Sequence, residues 1–309
     1  MNGSVVSTSV LLSVVSATAL SAGAPACRVV GATSKQDVRL ATLACETAEA
    51  RFKQLFRADT EPMVIVLSGD GADLRAEWVL HWHTSDELRR FATRAGLIGS
   101  EVESHVTEQW EEVLPHEIGH VFVWQYLENR RARRIAGEYA TPLPDWFEEA
   151  VAIWMEPEHL RRQRLIMARI FWQDLPPIED IVHGEHPRAH DPDPATITWE
   201  REAAPCEGAC PDSAIKVTVR QFPDGRVVVD TQYVAAYPWE VDGRDYYYPQ
   251  VYSVLAYIHD VGGYEAVNTI ARRLRRNPRD PNHLRNLPNL PSDLHTLDQA
   301  WRSWLQNKR

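Results

Sequence analysis

Pro115-His116-Glu117-Ile118-Gly119-His120 opens the stretch on which the fold turns, and Trp146-Phe147-Glu148-Glu149-Ala150-Val151-Ala152 closes it. The first segment is an H-E-x-x-H pattern. On a helix, one turn separates His116 from His120, so both imidazoles project from the same face. That spacing lets one rigid element offer a zinc ion two nitrogens. Glu117 lies between them, where a carboxylate can act on water as general base. Two histidines leave zinc short of a third protein ligand, which Glu149, on a second amphipathic segment, can supply. The plain structural alternative is a helix carrying two histidines and a surface glutamate.

Taken together, the two motifs resemble those of the gluzincin metallopeptidases, whose third ligand lies in a downstream W-x-x-E-[GA]-x-A segment. Trp146, Glu149, Ala150 and Ala152 match that pattern, and Leu143-Pro144 precedes it as in peptidase-MA-like members. The resemblance implies one Zn²⁺ per chain on His116, His120 and Glu149, with Glu117 as general base and Glu148 as the ligand's solvent-side neighbour. It implies an α+β fold with a thermolysin-like zincin core, an N-terminal strand layer preceding a mainly helical C-terminal half. In aminopeptidase-like members a Tyr opening a downstream helix donates its hydroxyl to the oxyanion. Tyr248 best resembles it, since Val254, Leu255, Tyr257 and Ile258 follow at matching offsets. The family's Lys-Gly pair is replaced by Gln250-Val251, so Tyr252 and Tyr247 stay open as donors, as does a cluster of packing tyrosines.

The activity so implied is hydrolysis of peptide bonds in a peptide or protein substrate. A G-x-M-E-N segment, which binds a free amino terminus in the aminopeptidases, is missing upstream of His116. Endopeptidase therefore ranks ahead of aminopeptidase. A non-catalytic zinc-binding or scaffold domain is the other alternative. Glu117 argues against it, because a structural zinc site has no use for a general base and closes with a fourth protein ligand.

The 309 residues are 44% hydrophobic and 25% charged, ordinary globular composition with enough apolar mass for a sizeable core. A net charge of −10 argues against a nucleic-acid partner, which needs a basic surface. Residues 5–22 form an uncharged apolar stretch followed by Ala24-Pro25-Ala26, which reads as a signal peptide over residues 1–26. Export to the cell envelope or beyond follows, with no stable membrane insertion of the mature chain. Anchoring by residues 5–22 is the alternative, and Cys27 after the cut admits a lipoprotein reading. Residues 27–309 then form one metallopeptidase domain, with an α/β part at 27–105 and the active-site helices, an inserted loop, a hairpin and C-terminal helices at 106–309.

Four cysteines in an oxidising compartment suggest two disulfides, nearest-neighbour pairing of Cys27 with Cys45 and Cys206 with Cys210 being the simplest of three connectivities. A metal on Cys206-x-x-x-Cys210 lacks two further ligands nearby.

Apolar periodicity predicts a helix over 36–57, a buried strand at 62–67, a second strand at 77–83 and a helix at 86–95 capped by Thr84 or Ser85. His81 and His83 share a strand face, as packing residues more readily than as ligands. The active-site helix spans 106–135, with Pro115 kinking it or marking its first turn. Its basic tail Asn129 to Arg134 complements the helix dipole. Asp145 is placed to cap the ligand helix with Glu148 as its capping-box partner. A helix at 158–172 is expected next. His183, His186 and His190 fall in a polar insertion and read as a solvated loop before a second metal site. Pro223-Asp224-Gly225 joins strands 215–219 and 226–234 in a hairpin, a flap or rim by its place in the chain. An apolar helix is expected over 253–261, and the rest as short helices broken by prolines, ending in one at 297–305 with Trp301 and Trp304.

Overall fold

A computed structural model describes residues 26–31, 34–67, 78–127, 143–183, 199–201, 213–221, 227–235 and 243–307, with the backbone alone between 184 and 245. After β1 (Cys27–Val30), the first long element is α1 (Lys35–Phe56). Ser34 starts it by accepting hydrogen bonds from the Gln36 and Asp37 amides, and Arg57 ends it in the left-handed conformation. Its face bearing Ala41, Ala44, Ala48, Phe52 and Leu55 is buried.

β2 (Met63–Leu67) is apolar at every position and buried at every position. A strand covered on both faces needs that composition, and it is the central strand here. β1 and β3 (Val79–Trp82) flank it, both parallel to it. The four-residue strand β1 was not expected. The Cys27–Cys45 disulfide joins it to α1, with the Cα atoms 6.2 Å apart. A thiol in that bridge is not open to lipidation, which removes the lipoprotein reading.

α2 (Ser85–Arg94) starts with a full capping box between Thr84 and Glu87. Then α3 (Ser100–Glu108), a π-turn (Gln109–Val113) and α4 (Leu114–Leu127) follow without a break in helical backbone. The π-turn accommodates Pro115. In a regular α-helix the proline ring would crowd the carbonyl four residues back; a wider turn just ahead of it relieves that. The helix thus starts at Ser100, before the expected Val106.

α5 (Asp145–Met155), α6 (Glu158–Ile170) and α7 (Ile178–His183) come next. A second sheet, β4 (Trp199–Arg201), β5 (Ser213–Gln221) and β6 (Val227–Ala235), is antiparallel throughout. β5 and β6 are the expected hairpin, and β4 is an addition to it. The turn Pro223-Asp224-Gly225, Cys206, Cys210, His186, His190, residues 5–22 and the basic run from Asn129 all lie outside the described residues.

α8 (Gly243–Arg276) begins ten residues before the expected start at Ser253 and carries Pro249 inside it. It bends at Gly263, whose φ of 68° and extended ψ no helical residue adopts, and continues as helix to Arg276 where short broken helices were expected. α9 (Leu294–Asn307) closes the chain, with Trp301 fully buried and its Nε1 donating to Ser253 Oγ at 3.2 Å. The molecule is mostly helical with a small parallel sheet, an α+β arrangement. Among the described residues no helix is long and apolar enough to cross a membrane.

The core runs without interruption from α1 and β2 through α4 and α5 to α8 and α9. α4 and α5 approach most closely at Gly119. A Cβ built there would lie 2.8 Å from Ala152 Cα and 2.9 Å from Met155 Cγ, so only glycine allows this spacing.

Candidate metal centre

The close crossing of α4 and α5 brings the two sequence motifs face to face. His116 and His120 project from one face of α4, their Nε2 atoms 3.2 Å apart. From α5, Glu149 Oε2 lies 3.3 Å from His116 Nε2 and 3.8 Å from His120 Nε2. Two imidazole nitrogens and a carboxylate oxygen thus converge on one point. Glu117 has a carboxylate oxygen within 4.8 Å of histidine nitrogens in the same cluster. His116, His120 and Glu149 are the residues that could hold a cation, with Glu117 at its edge.

The other ring nitrogens face away from that point and are also engaged. His116 Nδ1 lies 3.0 Å from Glu156 Oε1, and His120 Nδ1 3.1 Å from Glu148 Oε1. Each carboxylate fixes the ring's rotation and draws the N–H to Nδ1, leaving Nε2 as the electron-pair donor. Both carboxylates are themselves anchored. Trp124 Nε1 donates to Glu148 Oε1 at 2.7 Å. Arg164 on α6 grips Glu156 with both arms of its fork, Nε to Oε2 at 3.1 Å and Nη2 to Oε1 at 2.9 Å.

Two expectations are corrected here. Asp145 is the first helical residue of α5, Pro144 is the N-cap, and no side chain caps this terminus. Glu148 is neither a capping-box partner nor solvent-facing: it is buried, 7% exposed, and turned toward His120. Glu156 and Arg164 went unrecognised in the sequence. The available signal was spacing, since Glu156 follows Glu149 by seven residues, two helical turns along the same face.

Electrostatics follow from this packing of charge. Burial alone would push the His116 imidazolium toward losing its proton, but the carboxylates of Glu149 and Glu156 outweigh it and raise the pKa to about 10. His120 is raised too, burial being outweighed by Glu149 and Glu148. Burial pushes the Glu156 carboxyl up, and His116 and Arg164 reverse that and hold it below the ordinary range. The centre is therefore a strong attractor of positive charge.

The three tyrosines lie within α8, inside the helix rather than at its opening. Tyr248 is half-buried, its ring 5.4 Å beneath the Arg164 guanidinium and edge-on to Tyr247. Tyr247 is buried, and its phenol is held protonated by burial first and then by the charges of Glu149, Asp145 and Glu148. Tyr252 packs on Trp154 and faces Arg161, which partly offsets the upward push of burial on its phenol. His81 and His83 are absent from the cluster. The Trp146 indole, three residues before Glu149, donates to the buried His283 Nε2 at 3.1 Å and stacks on its ring. No family model matches the chain, and no curated protein or solved structure is significantly similar to it.

Proposed function

We propose that the chain is an exported zinc metallopeptidase of the gluzincin type, hydrolysing peptide bonds within peptide or protein substrates. One observation carries the reading: His116 Nε2, His120 Nε2 and Glu149 Oε2 converge at separations of 3.2, 3.3 and 3.8 Å. A tetrahedral zinc with bonds of about 2.0–2.1 Å has donor–donor edges of about 3.3–3.4 Å, so the donor set fits with little adjustment. Three protein ligands rather than four leave one position for a reactant, which favours a catalytic over a structural site. The Cys27–Cys45 disulfide fits an oxidising compartment and so supports export. The sheet and the α4–α5 pair are compatible with a zincin core.

Zinc bound there supplies Lewis acidity and lowers the pKa of water to about 7. The chain's own residues handle protons and position. Glu117 accepts the proton of the attacking water on its carboxylate and returns it to the leaving amine nitrogen. Glu148 and Glu156 keep both imidazoles oriented, their Nδ1–H groups directed away from the ion. A phenol donates to the developing oxyanion. The family resemblance places Tyr248 there, while Tyr247 is the one whose charged neighbours are Glu149 and Glu148.

The test measures zinc content and cleavage of a peptide library on the same samples of wild type and Glu117→Gln. About one zinc per chain is expected in both. Cleavage should fall in the variant by at least roughly 10²-fold, the span of general-base catalysis. A wild type that holds zinc and cleaves nothing favours the scaffold alternative, and one that holds no zinc removes the metal centre.

A further inference from the structure

The proposed ion rests on His116, His116 on Glu156, and Glu156 on Arg164. That chain does not stop at the arginine. Tyr248 Cγ-to-Cζ ring carbons form the surface on which the guanidinium lies, with Arg164 Cζ 5.4 Å from the ring centroid. Tyr248 comes from α8, Arg164 from α6 and Glu156 from the end of α5, so three separate helices meet in this stack. We infer that Tyr248 is a positioning residue that acts through the face of its ring: it holds Arg164 flat against Glu156, and so sets how firmly His116 offers Nε2 to the ion.

The physical argument runs through geometry. Arg164 is 30% exposed at its side chain, whereas Glu156 is 4% exposed. A long side chain with that much exposure has several rotamers open to it, and a two-armed grip on a carboxylate needs one of them. An aromatic face beneath the guanidinium attracts the cation and selects the flat orientation. Glu156 Oε1 accepts from both Arg164 Nη2, at 2.9 Å, and His116 Nδ1, at 3.0 Å. Any tilt of the guanidinium is therefore felt at the atom that orients the imidazole. Outer partners of ligating histidines change metal affinity by about 10–100-fold when removed. Tyr248 stands two steps further out than Glu156, so its share is smaller.

The inference rests on the metal reading above, and the experiment separates the two. Zinc dissociation constants are measured by chelator competition on the full chain for wild type, Tyr248→Phe, Tyr248→Leu, Arg164→Met and the Tyr248→Leu/Arg164→Met double variant. Tyr248→Phe keeps the ring and should bind zinc as wild type does. Tyr248→Leu should weaken binding by about 3–10-fold and Arg164→Met by about tenfold or more, within the range for outer partners. In the Arg164→Met background the leucine should have no further effect, because the arginine it acts through is gone. A merely structural tyrosine would give additive losses and no dependence on Arg164. Equal weakening in Tyr248→Phe and Tyr248→Leu overturns the ring-face role in favour of the hydroxyl, and unchanged binding in Tyr248→Leu overturns it outright. Should Tyr248→Leu fail to fold, Arg164→Lys serves from the other end. It retains the charge without the fork, and wild-type zinc binding there overturns the proposal. If wild type itself binds no zinc, the metal reading fails and this inference with it.

Discussion

Three glutamates on one short helix do three different jobs, and the substitution to glutamine separates them. Glu149→Gln removes a ligand's charge and should lose most zinc affinity. Glu148→Gln and Glu156→Gln leave the ligands in place but weaken the hold on His120 and His116, so each should cost about 10–100-fold. Zinc competition on the three variants checks the order, and a Glu148→Gln with undiminished affinity would return that residue to a helix-end role. Acidity should act at the same atoms. In the metal-free protein His116 holds its proton up to about 10. Its ion pairs therefore add stability that is complete below the unfolded pKa of about 6.5 and lost as pH rises through the folded value. An entering ion must displace the proton from Nε2, so apparent zinc affinity should climb by about tenfold per pH unit from neutrality toward that value. Isothermal titration in buffers of different ionisation enthalpy counts the protons released. The motif residues were readable because H-E-x-x-H and W-x-x-E encode spacing on a helix, and spacing is local. Glu156, Arg164 and the turn of Glu148 toward His120 depend on how α4, α5 and α6 cross, which no local pattern records.

Elements were legible wherever burial imposed a period. The helix at 35–56, the strand at 63–67 and the capping box at Thr84 fell within a residue or two of their expected positions. β1 was missed because four residues, one of them Arg28, carry too little pattern to separate a strand from a linker. The early start of α8 was hidden by Pro249, which reads as a breaker but sits seven residues into the helix. Its ring needs only a freed carbonyl one turn back. The α4–α5 crossing yields a prediction at this scale. Alanine is the better helix former by about 1 kcal/mol. Against that, the added methyl would meet the Ala152 backbone at 2.8 Å, and overpacking costs about 1–3 kcal/mol. Gly119→Ala should therefore lower the melting temperature and, by spreading α4 from α5, weaken zinc binding together with it. Thermal melts with and without zinc show both effects, and a more stable variant would mean that the helices have room to part.

At the scale of the whole molecule, the Cys27–Cys45 bridge pins the edge strand to the helix that carries much of the core. Closing a loop of this length is worth about 3 kcal/mol through the unfolded chain. Cys45→Ser should lower the melting temperature by several degrees while leaving zinc content unchanged, because neither cysteine touches the centre. Melting and metal analysis of the same preparation test both halves.

The π-turn at Gln109–Val113 has a consequence for inheritance as well as for geometry. It holds one residue more than a regular turn would, so loss of a single codon there would close it into ordinary α-helix. Everything beyond would then rotate by about 100° about the helix axis, the angle that one residue subtends. Both histidines would swing off the face they share with Glu149. Pro115 would meanwhile meet the carbonyl that the wide turn now spares it. A one-residue deletion in this segment is thus a heavier lesion than most substitutions in the core, although it removes no group that touches the metal centre.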